Sequence, residues 1–512
     1  MRVYSPRVES PLAQASRSLV RRSPQRALSK RLQQATDYRS WLETAQQLDH
    51  HTGMDAWRQR EPSHLYDHRE IRQRHDQLRT AIDAGDVHGV LYALNEGIHG
   101  NMGGIGRATL YAQAKSGTKA LVDDYVNVIV EALRCVAAAS PREIPLVEKV
   151  DFFRRASHCY GRSALMLSGG GGVIYFHHGV VQTLVHERLL PNVLSGASAG
   201  SWLCAQIGTR TDEELERGHF EDFRYDLPTH LSPFRVLAGL EKEVTPQVVK
   251  QMAIDSFCND MTFQEAYEHT GRYINVSIAP VERHQASRLL NAITSPNVYI
   301  RSAIDASASI PGVVPPVTLY AKGADGKPKP YLPSRKWVDG SFAQDLPAKR
   351  LARLFGINHY IVSLINPVAV PFVDDPKVRR RRRVSDTFKK LGRSLASDTL
   401  LTLEDVGSSL GLPFLSPAIL MAHGLLDQDY TGDINIILNK RDFRWMNVLF
   451  DYDGEDEIKR LIDAGKRSTW PRLAQIRNAT VIARTLDEIL EELDLRELGQ
   501  LPKGVRHITA AT

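Results

Sequence analysis

Two short apolar runs in the middle of the chain each stop at glycine and are followed by a helical pattern. Ala164 to Ser168 ends at the four glycines Gly169 to Gly172, and Asn192 to Gly196 leads straight into another helix. Two further runs of the same kind are Tyr273 to Ala279 and His359 to Ile365. Strands that alternate with helices form a mostly parallel sheet with helices on both faces. The expected fold class is therefore α/β.

The pattern changes outside this central region, and it divides the 512 residues into four segments. Residues 1–38 are rich in Arg, Ser and Gln and are predicted to be a basic mobile arm. Residues 39–150 show apolar spacing typical of helices and no strand-like alternation, which predicts a small helical domain. Residues 151–370 carry the α/β pattern, and residues 371–512 are predicted to be a basic loop followed by a helical C-terminal region.

Positive charge is concentrated in two segments. Residues 1–40 hold nine basic side chains against two acidic ones, and residues 377–393 hold nine against one. Because the whole chain carries +6, the rest of it is acidic. This distribution indicates contact with an anionic partner, either phospholipid headgroups or nucleic acid, unless both segments are only solvated loops. Nucleic acid is the less favoured partner, because Phe388 is the one aromatic residue of the second segment and no reading module is recognisable.

The sequence predicts a cytoplasmic protein. No run approaches about 18 apolar residues, so we expect no transmembrane helix. No apolar stretch follows the first arginines, as it would in a secretory signal. The four cysteines are widely spaced and predict free thiols rather than a metal site. The apolar segment Leu412 to Leu426 is either a core helix, which we favour, or a contact with lipid.

The strongest local motif is Gly196-Ala-Ser-Ala-Gly200, between a predicted strand and a predicted helix. A sharp turn there holds the Ser198 hydroxyl clear of the backbone, at a helix N-terminus that favours developing negative charge. The segment Gly407 to Gly411 also reads G-x-S-x-G, but Pro413 obstructs a following helix. We therefore take Ser198 as the candidate nucleophile and Ser409 as a chance match.

The glycine run Gly169 to Gly172 is the second motif. Successive backbone N–H groups at a helix N-terminus form an anion site. The P-loop pattern is absent, and no glycine follows Gly172 until Gly179, so nucleotide-binding spacings do not fit. The run is then either an oxyanion hole that serves Ser198, which the nearby G-x-S-x-G favours, or a structural turn.

A serine nucleophile also needs a base. The histidines after Asp339 are His359, His423 and His507, and none lies in a distinctive motif. Asp339 itself follows an apolar pair and precedes a glycine, in Trp337-Val-Asp-Gly-Ser341. Partial burial there would raise the pKa of its carboxyl, and a carboxylate can accept the serine proton. Taken alone, Asp-Gly is also a common turn.

Together these motifs resemble the patatin-like phospholipase family, and more closely its triacylglycerol lipases from yeast and plants that have an extra helical N-terminal domain. The resemblance spans roughly Trp41 to Leu473 and leaves out residues 1–38. The similar stretches are Gly97 to Ile105, Gly117 to Lys119, Gly161 to Gly171, Phe176 to Val181, Gly208 to Leu215, Trp337 to Pro347 and Val362 to Pro367.

The resemblance implies a Ser–Asp dyad in a patatin-like catalytic domain at residues 151–370. Ser198 would be the nucleophile, Asp339 its base, and Gly169, Gly170 and Gly171 the oxyanion donors. The implied activity is hydrolysis of lipid acyl esters through an acyl-enzyme, as in a triacylglycerol lipase or phospholipase, with no cofactor and no metal. The same acyl-enzyme could pass its acyl group to another alcohol.

The implied partners are a lipid substrate and an anionic membrane or lipid-droplet surface, which would hold the protein peripherally through its basic segments. The oligomeric state stays open. The alternative is a non-catalytic lipid-binding or membrane scaffold, because Val173 and Ile174 stand where many family members have a basic residue and a further glycine.

Overall fold

The computed structural model describes residues 24–98, 101–219, 246–282, 285–311, 314–366, 370, 432–439 and 455–500. These residues form an α/β sheet with mostly parallel strands and a helical N-terminal layer, which confirms the predicted fold class. The basic segment 377–393, the segment Leu412 to Leu426, Ser409, His423 and His507 lie outside the described residues. No helix of the described residues is both long and apolar enough to cross a bilayer.

The strands that the structure describes are β1 (Arg162–Leu167), β2 (Val193–Gly196), β3 (Tyr273–Pro280), β4 (Arg288–Leu290), β5 (Leu319–Lys322), β6 (Pro328–Tyr331), β7 (Trp337–Asp339), β8 (Ile357–Leu364) and β9 (Ile434–Ile437).

The α-helices of the same residues are α1 (24–33), α2 (Tyr38–Thr52), α3 (Met54–Gln59), α4 (His68–Asp83), α5 (Val87–Asn95), α6 (Ala108–Tyr111), α7 (Ala120–Ala138), α8 (Leu146–Tyr160), α9 (Ile174–His186), α10 (Ala199–Gly208), α11 (Asp212–Glu214), α12 (Pro246–Phe257), α13 (Phe263–Thr270), α14 (Ile300–Ser307), α15 (Ser341–Gln344), α16 (Ala348–Phe355), α17 (Glu455–Thr469) and α18 (Leu473–Gln500). Short 3-10 turns occur at Met102–Gly104, Gly171–Val173 and Trp470–Arg472, and a π turn at Leu215–His219.

The central sheet has seven strands in the order β4-β3-β2-β1-β8-β9, with β7 also paired to β3. Neighbours from β3 to β9 are parallel, whereas β4 and β7 run antiparallel to β3. Because β1 and β2 are adjacent and parallel, the turns after them lie at the same edge of the sheet. Gly169 to Gly172 and Ser198 are thereby brought together, as the two glycine-terminated strands predicted.

Strands β1, β2, β3 and β8 coincide with the four predicted apolar runs. Strand β9 was not predicted, and it extends the sheet into the segment expected to be only a basic loop and helices. Its four residues, Ile-Asn-Ile-Ile, are too few to show a period. Its place at the sheet depends on pairing with β8, more than 70 residues earlier.

Both faces of the sheet are buried, which explains why its strands read as continuous apolar runs. Successive residues of β1 alternate between two clusters of side chains. Leu165 and Leu167 face α9 and α10, whereas Ala164 and Met166 face Leu351 of α16. The helices that follow the two glycine turns therefore lie on one face of the sheet.

The helical N-terminal layer has a core of its own. Leu78 of α4, Leu133 of α7 and Phe153 of α8 belong to one cluster, and Leu486 of the C-terminal helix α18 completes it. A buried ammonium group connects the start of α7 to the end of α3: Lys119 Nζ donates to the carbonyl oxygens of Trp57 and Arg60, at 2.5 and 2.6 Å. The Gly-Thr-Lys motif singled out in the sequence thus has a structural role within the layer.

The basic arm predicted for residues 1–38 is folded over part of its length. Residues 24–33 are helical, Leu32 packs against the core of the sheet, and Ala35 is buried in it. Burial of these apolar side chains fixes this part of the arm on the body of the protein, contrary to the expected mobility. Residues 1–23 lie outside the described residues.

Candidate active site

Ser198 occupies a sharp turn between β2 and α10. Its backbone has φ 49° and ψ −124°, a conformation that residues with a side chain rarely adopt. The turn needs glycine on either side: a Cβ atom on Gly200 would lie 2.1 Å from the Leu167 carbonyl oxygen, and one on Gly196 would lie 2.3 Å from the Gly200 backbone. Strain of this kind costs about 1–3 kcal/mol and persists where the surrounding structure enforces it.

Strand β7 carries Asp339 to the same place from the opposite direction. Gly196 at the end of β2 pairs with Val276 of β3, and Asp339 pairs with Ile278, two residues further along. On its other side, Ile278 pairs with Arg288 of β4. Strand β7 therefore pairs with the same side of β3 as β2 does, beyond the residue at which β2 ends. Ser198, just after the end of β2, and Asp339, at the end of β7, therefore lie close together beside β3.

Asp339 is buried, with 1% of its surface exposed. Its Oδ1 accepts the Ser341 N–H at 2.8 Å, and its own N–H donates to the Ser309 carbonyl oxygen at 3.0 Å. Burial raises the pKa of its carboxyl to about 6, against the opposing effect of hydrogen bonds from Ser341 and from the Ser198 hydroxyl. This carboxylate can take up a proton near neutral pH and has the candidate nucleophile beside it.

A second buried serine holds the turn in place. The Ser198 N–H donates to Ser307 Oγ at 2.9 Å, and that hydroxyl donates to the Ser277 carbonyl oxygen of β3 at 2.9 Å. Ser307 ends α14 and is fully buried. Sequence reasoning missed Ser307, since no local pattern marks a serine whose partners lie 30 and 109 residues away.

The glycine run lies against the serine. A Cβ atom on Gly169 would be 3.3 Å from Ser198 Cβ. The Gly169 N–H donates to Asp345 Oδ1 at 2.8 Å. Because this N–H already has an acceptor, it does not point to an oxyanion as the resemblance implies. The N–H groups of Gly170 and Gly171 have no acceptor among the described residues, and Gly171 is exposed.

Asp345 is the second buried carboxylate of the site. Its Oδ2 accepts a hydrogen bond from Asn366 Nδ2 at 3.1 Å. Burial, together with the nearby Asp339, raises the pKa of Asp345 to about 7, against the lowering effect of the Gly169 N–H. Sequence reasoning missed both residues. Their only signal was their place inside the stretches Trp337 to Pro347 and Val362 to Pro367.

His177 supports the glycine run from beneath. Its Nε2 lies 2.9 Å from the Ser168 carbonyl oxygen and its Nδ1 lies 2.7 Å from Ser363 Oγ. Burial lowers the pKa of this histidine to about 4, so the ring is neutral at physiological pH. A neutral ring must then donate from Nε2 to the carbonyl and accept from the Ser363 hydroxyl. This arrangement fixes Ser168, the residue just before the glycines.

His359, a candidate base by its position in the chain, lies at the opposite end of the sheet, where the parallel strands β1 and β8 begin. It pairs in register with Ser163 near the start of β1, and its Nδ1 is 3.2 Å from Ser163 Oγ. Ser198 follows the carboxyl end of β2. His359 is therefore not brought to the serine. Among the described residues, no group of three or more His, Cys, Asp or Glu side chains is arranged to hold a metal ion.

The mostly parallel sheet thus carries a serine on a strained strand-to-helix turn beside a buried aspartate. Residues 165–352 match the family model described as patatin-like phospholipase, and residues 18–158 match that of a domain of unknown function, DUF3336. The chain belongs to the patatin-like phospholipase family. The second match begins at residue 18, within the segment that the motif resemblance left out.

Several relatives are similar to most of the chain. A patatin-like phospholipase domain-containing protein from Aspergillus terreus is 35% identical over 94% of this chain and 70% of its own length. Triacylglycerol lipase SDP1L of Arabidopsis thaliana is 30% identical over 90% of this chain and 58% of its own length. A patatin-like phospholipase domain-containing protein from Cryptococcus neoformans is 32% identical over 90% of this chain and 54% of its own length. The chain thus spans little more than half the length of these last two relatives.

Proposed function

We propose that this protein hydrolyses lipid acyl esters, with Ser198 as the nucleophile and Asp339 as its base. The observation that carries the proposal is the strained Ser198 turn beside a buried carboxyl whose pKa is raised to about 6. Strained backbone and a carboxyl with a raised pKa both cluster at functional sites. The match to the patatin-like phospholipase model and the lipase name of the Arabidopsis relative support a lipid substrate.

The reaction would proceed in two halves. Ser198 Oγ attacks the ester carbonyl carbon while its proton passes to the Asp339 carboxylate. The tetrahedral intermediate collapses, and the leaving alcohol takes the proton from Asp339. Water then attacks the acyl-enzyme and gives a proton to Asp339. As the fatty acid leaves, this proton returns to Ser198 Oγ, and the dyad is restored.

The oxyanion of each intermediate would be held by the N–H groups of Gly170 and Gly171, not by that of Gly169. Each such donor contributes about 2.7–4 kcal/mol in acyl transfer. Asp345 would act as a positioning residue, because its hydrogen bond with Gly169 sets the course of the backbone that leads to these two donors. Asn366 in turn holds the Asp345 carboxylate.

The substrate would be triacylglycerol, a phospholipid or a lysolipid, taken from an anionic membrane or lipid-droplet surface. The basic segments 1–40 and 377–393 would attach the protein peripherally to that surface from the cytoplasm. In this proposal residues 151–370 form the catalytic domain, residues 39–150 the helical N-terminal domain and residues 371–512 the C-terminal region.

The test is labelling of the full chain with a fluorophosphonate, which reacts with activated serines. The parent is compared with Ser198→Ala and with Ser409→Ala, the matched control from the other G-x-S-x-G segment. We expect Ser198→Ala to abolish labelling and Ser409→Ala to leave it unchanged. If the folded parent does not label, the hydrolase proposal fails and a lipid-binding scaffold becomes the better account.

A further inference from the structure

A concave site lies at the outer edge of the sheet, beside β4. It is an open cleft of about 390 Å³ between this strand and helix α16. Nine of the described residues line it, and they are of three kinds: three arginines, three residues with a hydroxyl group and three leucines. No acidic side chain is among them. A cleft of this composition is suited to a ligand that is anionic at one end and apolar at the other.

The three arginines are Arg288 on β4 and Arg350 and Arg353, one turn apart on α16. Within the part of the chain that the structure describes, none of them forms an ion pair with a carboxylate. Arg301 of α14 differs from them, because it pairs with Asp255 and Asp260. Among the described residues, Arg350 and Arg353 therefore bring two guanidinium groups without a paired carboxylate to one side of the cleft.

Burial makes this arrangement costly for one of the three. Arg350 is half-buried, and its burial lowers the pKa of its guanidinium, although an arginine stays charged in proteins. A charge that is partly removed from water is stabilised by an opposite charge nearby. Since the described residues provide none, an anion in the cleft would supply it.

The chemistry of the guanidinium group favours a phosphate as that anion. The Arg288 guanidinium lies over the ring of Trp337, 5.6 Å from its centroid, on the opposite face of the sheet from α16, so Arg288 lines the cleft without directing its charge into it. The planar guanidinium groups of Arg350 and Arg353 can match the oxygens of a phosphate by paired hydrogen bonds. Ser287 and Thr294 also line the cleft, with hydroxyls that donate to Gln344 and to the Leu289 carbonyl oxygen, and Leu289, Leu290 and Leu354 form its apolar wall.

We propose that this cleft binds the phosphate group of an anionic ligand, either a phospholipid headgroup or a free phosphate ester. The cleft is distinct from the candidate active site. Arg288 and Asp339 pair with Ile278 from opposite sides, which places their Cα atoms about 10 Å apart across β3. Binding here does not depend on hydrolysis at Ser198, so the two proposals stand or fall separately.

The test measures binding by the full chain carrying Ser198→Ala, so that no lipid is consumed. Inorganic phosphate and glycerol 3-phosphate are titrated calorimetrically, and sedimentation reports binding to phosphatidylcholine vesicles with and without phosphatidic acid. The test variant is the double change Arg350→Gln and Arg353→Gln. Lys349→Gln is the matched control, since Lys349 is an exposed cation of the same helix that does not line the cleft. Arg353→Gln alone serves if the double variant does not fold.

We expect the double variant to lose at least about tenfold in affinity for the phosphate probe, as removal of charged hydrogen bonds does, and Lys349→Gln to change it less than about twofold. Binding of the soluble phosphates would identify a free phosphate ester as the ligand. Binding only of vesicles with phosphatidic acid would identify a lipid headgroup. The proposal is overturned if no probe binds, or if Lys349→Gln weakens binding as much as the double variant, which would show general attraction by charge.

Discussion

At the scale of single residues, the site depends on two buried carboxyls with different partners. Asp339 interacts with the Ser198 hydroxyl, whereas Asp345 accepts the Gly169 N–H. Burial raises the pKa of both groups, to about 6 and about 7. Because the Ser198 hydroxyl lies beside Asp339 and not beside Asp345, Asp339 is the carboxyl placed to serve as a base near neutral pH.

The first prediction concerns pH. Asp339 accepts a proton only as the carboxylate, so kcat/KM should rise about tenfold per pH unit below pH about 6 and level off above it. The measurement is the pH profile of ester hydrolysis or of the fluorophosphonate labelling rate. Asp339→Asn should lower the rate by at least about a hundredfold at every pH. A parent profile that is flat from pH 4 to 8 would exclude Asp339 as the base.

The second prediction concerns Asp345 as a positioning residue. Asp345→Ala removes the acceptor of the Gly169 N–H, so kcat should fall about tenfold to a hundredfold while KM changes little. Asp345→Asn keeps an oxygen at that position and should restore most of kcat. Steady-state kinetics of the three proteins provides the comparison. Equal loss of kcat in both variants, with both folded, would show that hydrogen bonding to Gly169 is not the role of this side chain.

Asp345 should also affect how stability depends on pH. Its pKa is raised on folding, so its contribution to the free energy of unfolding is fully present below the unfolded pKa near 3.8 and is lost as pH rises through about 7. In Asp345→Asn, the stability should therefore fall less between pH 4 and 7 than it does in the parent. Urea unfolding at several pH values measures this difference. Parallel pH dependences in the two proteins would contradict the prediction.

At the scale of elements, the close packing of α9 on α17 supports the site. Glycines lie on both sides of the crossing: a Cβ atom on Gly179 would be 1.9 Å from the Ile462 carbonyl oxygen, and one on Gly465 would be 2.1 Å from that of Phe176. Backbone is thus in contact with backbone. Helix α9 also carries His177, which forms a hydrogen bond with Ser168. Packing of α17 against α9 therefore helps to fix the position of the glycine run.

The prediction at this scale is that Gly465→Ala separates the two helices. The methyl group cannot be accommodated without movement of backbone, and overpacking of this kind costs about 1–3 kcal/mol in stability. The matched control is Gly499→Ala in α18, where no atom of the described residues lies within 4 Å of an added Cβ atom and alanine is the better helix former. Chemical denaturation compares the two. Equal stabilities of the two variants would show that the crossing tolerates a side chain.

At the scale of the whole molecule, α18 joins the two cores. Leu473 and Ile476 near its start belong to the core of the sheet, whereas Leu486 and Leu493 belong to the core of the helical N-terminal layer. One continuous helix therefore buries apolar surface in both. We expect the described parts of the sheet and the helical layer to unfold together.

Leu486→Ala tests this coupling. Leu486 is fully buried, so its truncation should cost about 2–5 kcal/mol, whereas Leu495→Ala, at a side chain that is 64% exposed, should change stability by less than about 0.5 kcal/mol. Circular dichroism reports on the helices and fluorophosphonate labelling on the sheet. In Leu486→Ala, the midpoints of the unfolding transitions that the two probes report should shift by the same amount. A shift confined to one probe would mean that the two cores unfold independently.

The local sequence was enough to predict the main strands, the turn at Ser198 and the family. Apolar runs of four to eight residues are enough to predict strands, so β1, β2, β3 and β8 were recognised, and the glycines around Ser198 marked the turn because only they fit it. The combination of motifs also identified the family. That Ser198 and Asp339 are catalytic stays a prediction until Ser198 is tested by labelling.

Tertiary structure alone decided the rest, because it depends on partners distant in the sequence. The pairing of β7 with β3 puts Asp339 beside Ser198, and burial there, rather than residue type, raises its pKa. The Gly169 N–H is directed to Asp345, 176 residues later, and no local spacing could show which glycine would remain available to an oxyanion. Turns and strands follow from neighbouring residues, whereas hydrogen-bond partners and burial follow from how the strands are paired.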